Sequence, residues 1–139
     1  MKSFLSITSC ALAALLLTSC VTPKREKDLQ ETLQKYEMMI RWSQWDAATD
    51  FIAPEYLEEH PLTRLDMDRL HLFRVTQYIV RTSGLYDDGN AMQQQVEIHL
   101  YNKNRALEQT VMDQQEWKWD AERQRWMLES GLPDVTRKY

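Results

Sequence analysis

Cysteine is nearly absent from this chain: there are two, Cys10 and Cys20, both within the first twenty residues. Beyond Cys20 no thiol remains for a disulfide, a thiolate metal site or a cysteine nucleophile. Glycine is also scarce, at three in 139 residues, and no glycine-rich phosphate loop, nucleophile elbow or deaminase signature is present. Positive charge is not in excess. With a net charge of −4 the chain has neither a basic footprint for nucleic acid nor a polybasic patch for anionic lipid. The histidines, His60, His71 and His99, contain no i, i+4 pair of the kind that binds zinc on a helix. The longest apolar-leaning stretch, about 15 residues, falls short of the roughly 20 of a membrane-spanning helix. These absences predict no metal, no cofactor and no catalytic motif.

What is present begins at the N-terminus. Met1-Lys2 is followed by an apolar run (Phe4, Leu5, Ile7, Ala11 to Leu17) and then by small residues, the layout of an export signal. The run ends in Leu17-Thr18-Ser19-Cys20, which resembles a bacterial lipobox. That resemblance implies removal of residues 1–19, acylation of Cys20 with palmitate among the chains, and membrane attachment through the lipid. Each buried methylene contributes ~0.8 kcal/mol, and several chains hold where one is marginal. Val21, and not aspartate, follows the cysteine. By resemblance to enterobacterial sorting signals this implies the outer membrane, on its periplasmic face, in a Gram-negative cell. Removing residues 1–19 takes away one basic and no acidic residue, so the mature chain has 120 residues and a net charge of −5. That length suits one domain with one core.

Residues 20–27 read as the lipidated cysteine and a polar tether reaching about 20–25 Å, and 28–139 as a single domain. A helix is expected from Asp28, with Leu29, Leu33, Tyr36 and Ile40 forming one stripe. A break is expected at Trp42 to Gln44, a second helical piece over Trp45 to Ile52 ended by Pro54, and a short helix from Pro61 to His71. The period then changes to two. Phe73–Ser83, Met92–Tyr101, Leu107–Trp119 and Arg125–Ser130 read as four strands joined by turns at Leu85–Asn90, Asn102–Arg105 and Asp120–Gln124. One face is apolar and the other carries Gln93, Gln95, Glu97, His99, Gln114, Glu116 and Lys118. The fold class is therefore α+β, with N-terminal helices packed on one face of a curved four-stranded antiparallel sheet. The expected core is Leu33, Tyr36, Ile40, Ala47, Phe51, Val75, Ile79, Val96, Ile98, Leu100, Val111 and Leu128.

The third strand carries an anomaly. On the parity of Leu107, Val111, Trp117 and Trp119 it also places Gln109, Asp113 and Gln115. Buried and unpartnered, each would cost ~1–3 kcal/mol. A water-filled cleft, a solvated rim or a bulge that flips the register each avoids that cost, and Met112 on the opposite parity points to a flip. Among the five tryptophans, Trp119 and Trp126 flank the last turn and are placed to face each other.

The segments Tyr36 to Ala48 and Gln114 to Trp126, in the order helix, short helix and meander, resemble the cystatin-like, nuclear-transport-factor-two-like superfamily. The likeness covers Asp28 to Ser130, although the last turn lacks that superfamily's usual glycine. The resemblance implies a concave sheet face where ligands sit, with Tyr36, Gln109, Asp113, Gln115 and Trp117 as cavity-lining residues. In an isomerase-like member Asp113 would serve as general base and Tyr36 as oxyanion donor. The scaffold hosts enzymes and assembly subunits alike, so the fold does not choose between them. Two functions are carried forward. One is a non-catalytic binding or accessory subunit with an envelope protein partner, docking through the polar outer face. The other is a small-molecule-binding or isomerase-like domain using the cavity between helices and sheet.

Overall fold

The computed structural model describes residues 23–136. Helix α1 (Pro23–Arg41) opens with proline at its first position, where a missing N–H costs nothing. It starts five residues ahead of Asp28, so Pro23 to Lys27 are helical where an extended tether was expected. Leu29, Tyr36 and Ile40 are buried, while the ion pairs Lys27–Glu31 and Glu37–Arg41 lie toward solvent. The helix ends at the expected break. The Ser43 N–H donates to the Ile40 carbonyl at 2.8 Å in a left-handed conformation (φ 54°), and its hydroxyl accepts from the Val75 N–H at 2.9 Å.

Helix α2 (Trp45–Ala48) and a 3-10 turn (Thr49–Phe51) follow. Pro54 closes that segment, but it also opens a helix that the sequence reading missed, α3 (Pro54–Glu59). Helix α4 (Arg64–Leu70) is shorter than the expected Pro61–His71 because Thr63 caps it. The Thr63 hydroxyl accepts from the Asp66 N–H at 3.2 Å, and the Asp66 carboxylate accepts from the Thr63 N–H at 3.0 Å.

Strands β1 (Phe73–Tyr86), β2 (Ala91–Asn102), β3 (Glu108–Asp120) and β4 (Arg125–Leu128) form an open antiparallel sheet in the order β1-β2-β3-β4. The class is thus α+β. β3 pairs β2 without a register shift from Ala91↔Lys118 to Tyr101↔Glu108. The register flip, one of the alternatives and the one to which Met112 pointed, does not occur in β3. The bulges are in β1 instead, at Thr76 and Arg81, where the pairing with β2 skips a residue. The extra residue at Thr76 moves Tyr78 to the inner face opposite Ile98 and sends Ile79 to the outer face opposite Glu97. That displaces Ile79 from the expected core.

Inside, Trp45, Trp117 and Trp126 join Tyr36, Ile40, Val96, Ile98, Leu100, Val111 and Leu128 as almost wholly buried side chains. Leu33, Phe51 and Val75 pack against this cluster half-buried. Ala48 takes the place expected for Ala47, which is only half-buried. Trp119 faces Trp126 in register, their rings edge-to-face with centroids 5.9 Å apart. The Arg25 guanidinium lies 5.2 Å from the Trp119 ring and donates to the Asn90 side chain at 2.5 Å, while Trp126 Nε1 donates to the Arg25 carbonyl at 3.1 Å.

Candidate functional site

Unbroken alternation in β3 forces Asp113 and Gln115 inward, and both are buried, at 8% and 2% exposure. Opposite Gln115 on β2 stands Gln94, and the Thr76 bulge brings Tyr78 to the same place from β1. The four side chains satisfy one another. Gln115 Nε2 donates to the Asp113 carboxylate at 2.7 Å and to the Tyr78 hydroxyl at 3.0 Å. Gln115 Oε1 accepts from Gln94 Nε2 at 2.7 Å and from Trp117 Nε1 at 3.2 Å. No cleft, rim or flip is needed, because each group finds a hydrogen-bond partner among its neighbours.

Electrostatics follow from burial. Loss of hydration pushes the Asp113 carboxyl up to about 6, and the Gln115 hydrogen bond only partly opposes it. Burial also raises the Tyr36 and Tyr78 phenols, with Asp113's negative charge adding to both. Tyr36 is fully buried. Its ring meets Trp117 and Phe51 edge-to-face at 5.1 and 5.5 Å, and its hydroxyl has no hydrogen-bond partner.

Of the five expected cavity residues, Tyr36, Asp113, Gln115 and Trp117 thus come together, with Trp117 filling the interior between them. Gln109 does not join them: its side chain turns toward the C-terminal segment and donates to the Val135 carbonyl at 2.6 Å. Sequence reasoning missed Tyr78 and Gln94. Gln94 was visible as a polar residue on the inward parity of β2, between Met92 and Val96, but Tyr78 was hidden by the bulge. Tyr78 and Gln94 form part of an open groove of about 640 Å³ between α1 and the β1–β2 edge, also lined by Leu29, Leu33, Glu37 and Leu85.

The histidines are dispersed. His60 stacks on Tyr56 at 4.5 Å, His71 meets Asp46 at 2.7 Å and His99 meets Glu97 at 2.7 Å. Among the described residues no group of three or more His, Cys, Asp or Glu side chains is arranged to hold a metal ion. No helix among them is long and apolar enough to cross a membrane. On the outer face Arg81 and His99 both bind Glu97, which holds its carboxyl below the ordinary range, first through His99 and then Arg81. Tyr86 donates to Glu116 at 2.6 Å, and Lys118 pairs with Glu129 at 2.7 Å.

No protein-family model, no curated protein and no solved structure matches this chain.

Proposed function

We propose that the chain is an envelope lipoprotein, acylated at Cys20, whose exported domain is a non-catalytic binding or accessory subunit with a cystatin-like, nuclear-transport-factor-two-like architecture. The observation that carries the non-catalytic reading is the closure of the interior polar cluster. Asp113 and Gln115 spend their hydrogen bonds on each other and on Tyr78, Gln94 and Trp117, and Trp117 fills the space a substrate would need. The outer face, rich in Gln93, Gln95, Gln114 and the Glu97 and Glu116 carboxylates, suits a wet, hydrogen-bonded protein contact. Residues 1–20 lie outside the described residues, so the lipid address rests on the lipobox alone. In a Gram-negative cell that address is the periplasmic face of the outer membrane.

Two measurements test this reading. Labelled palmitate is incorporated into the wild type and not into Cys20→Ala, which accumulates as unprocessed precursor; an unlabelled wild type sinks the anchor. Crosslinked envelopes yield a reproducible protein partner, lost when Glu97 and Glu116 are reversed in charge. A second reading, a small-molecule site, keeps one observation in its favour, the groove floored by Tyr78 and Gln94. Ligand-dependent quenching of tryptophan emission with no protein partner would move the conclusion there.

A further inference from the structure

The two edges of the sheet are unlike. β1, on one side, is interrupted by bulges at Thr76 and Arg81, devices that blunt an edge against further pairing. β3 pairs β2 without a bulge, and on its other side β4 pairs only with Trp117 to Asp120, with Glu129 and Ser130 bonding Glu116. The direction of its backbone groups is fixed at two places. The Trp119 N–H donates across to the Asn90 carbonyl on the β2 side, whereas Glu116 accepts from the Glu129 N–H at 2.7 Å and donates to the Ser130 hydroxyl at 3.1 Å on the other. In an antiparallel strand these directions alternate residue by residue. Glu108, Thr110, Met112 and Gln114 therefore turn both N–H and C=O toward the open edge, and none has a backbone partner there among the described residues.

Beside this edge runs a trough of about 780 Å³, walled by Glu108, Thr110 and Met112 and bounded by Val135 and Thr136. Arg105 and the 64%-exposed Leu107 stand at its end. Arg105, Lys103 and Arg74 make no ion pair among the described residues, and the Lys103 N–H bonds to the Leu72 carbonyl, so all three gather around one end of the sheet. Glu108 is the one carboxylate lining the trough. In a chain of negative net charge this end is an exception.

We propose that the open edge of β3, from Glu108 to Gln114, takes an extended segment of a partner protein by strand addition, with an acidic side chain of that segment over Arg105. Free backbone groups repeating every second residue are matched by another extended backbone, and the unpaired cations select for acid. The inference deepens the subunit reading above and names the mode of contact.

The test is a photo-crosslinking amino acid placed at Thr110 or Gln114, with Gln77 on the bulged edge as reference, in the full chain in cells. Adducts form with one protein at least ten-fold more often at the β3 positions, through a peptide that contains Asp or Glu. That peptide, made synthetically, slows amide exchange at Thr110, Met112 and Gln114 at least ten-fold. Arg105→Glu weakens its binding about ten-fold with an unchanged far-ultraviolet spectrum. Equal or absent adducts, adducts to a second copy or to lipid, or protection at other amides overturn the proposal. So does protection that exists before peptide is added and disappears when residues 137–139 are deleted, since the chain's own tail is then the occupant. Palmitate labelling is read separately, so a lost anchor is distinguishable from a lost strand contact.

Discussion

Asp113 and Gln115, two residues apart on the inner face of β3, are joined by a 2.7 Å hydrogen bond from amide to carboxylate. This contact sets the orientation of the Gln115 amide, and with it the partners of Gln94, Tyr78 and Trp117. Gln115→Leu strands the buried Asp113 carboxylate and Gln94 amide together, and is expected to lower stability by about 3 kcal/mol, since each unmet buried group costs 1–3. Urea unfolding followed by tryptophan emission measures it. The double variant Asp113→Leu/Gln115→Leu loses clearly less than the sum of the two single losses, because the charge and its partner leave together. Strict additivity contradicts the network.

Asp113 also carries a pH signature. Its carboxyl is pushed up to about 6 in the fold, against an ordinary value of 3.8. Between those values the folded state holds a proton that the unfolded state has released, so stability falls as pH rises. Its contribution is complete below about pH 4 and is lost through about pH 6, a change of roughly 3 kcal/mol at 1.36 per unit. Asp113→Asn removes this slope. The difference between the two unfolding free energies, measured from pH 4 to 7, isolates it from Glu97 and Asp120, whose lowered carboxyls act in the opposite direction.

Arg25 holds the first turns of α1 through Asn90 and the Trp119 ring, although its Nε is buried without a partner. Arg25→Ala is expected to cost about 1 kcal/mol, the scale of a partly desolvated cation–π contact. The loss is local. A glutamate-specific protease should cut at Glu26 and Glu31 several-fold faster, with the sheet amides unchanged in exchange; a uniform change across the sheet contradicts a local clamp.

Gly131 lies at φ +76°, and a Cβ there would sit 2.8 Å from the Tyr56 hydroxyl. Gly131→Ala adds left-handed strain to this clash and is expected to cost about 2 kcal/mol. Gly131→Ala/Tyr56→Leu recovers the steric part and leaves the backbone part. Thermal unfolding of the two variants separates them.

Periodicity made much of this fold legible. Leu29, Tyr36 and Ile40 on α1, and Val96, Ile98 and Leu100 on β2, lie where their spacing predicts, and the Trp119–Trp126 pairing followed from their position around one turn. The failures share a cause. A bulge adds a residue without a sequence mark, so Thr76 reversed the faces of Tyr78 and Ile79 and concealed one member of the polar cluster. Pro54 carries two meanings, stop and start, and only the first was read. Asp113 and Gln115 were recognised as inward-facing on the parity of Val111 and Trp117. Their partners on two other strands required a register that local pattern does not contain.

The hydrogen bond from Trp126 to the Arg25 carbonyl spans 101 positions of the chain. The sheet itself is a meander of neighbours in sequence, which closes through short loops. α1 and β4 are by contrast distant in sequence, and the seat of the first turns of α1 joins two segments that no local contact brings together. Tyr36, further along the helix, rests instead on Phe51 and on Trp117 of β3. A truncation that removes β4 therefore loosens the first turns of α1 and leaves the later ones seated on β1, Phe51 and Trp117.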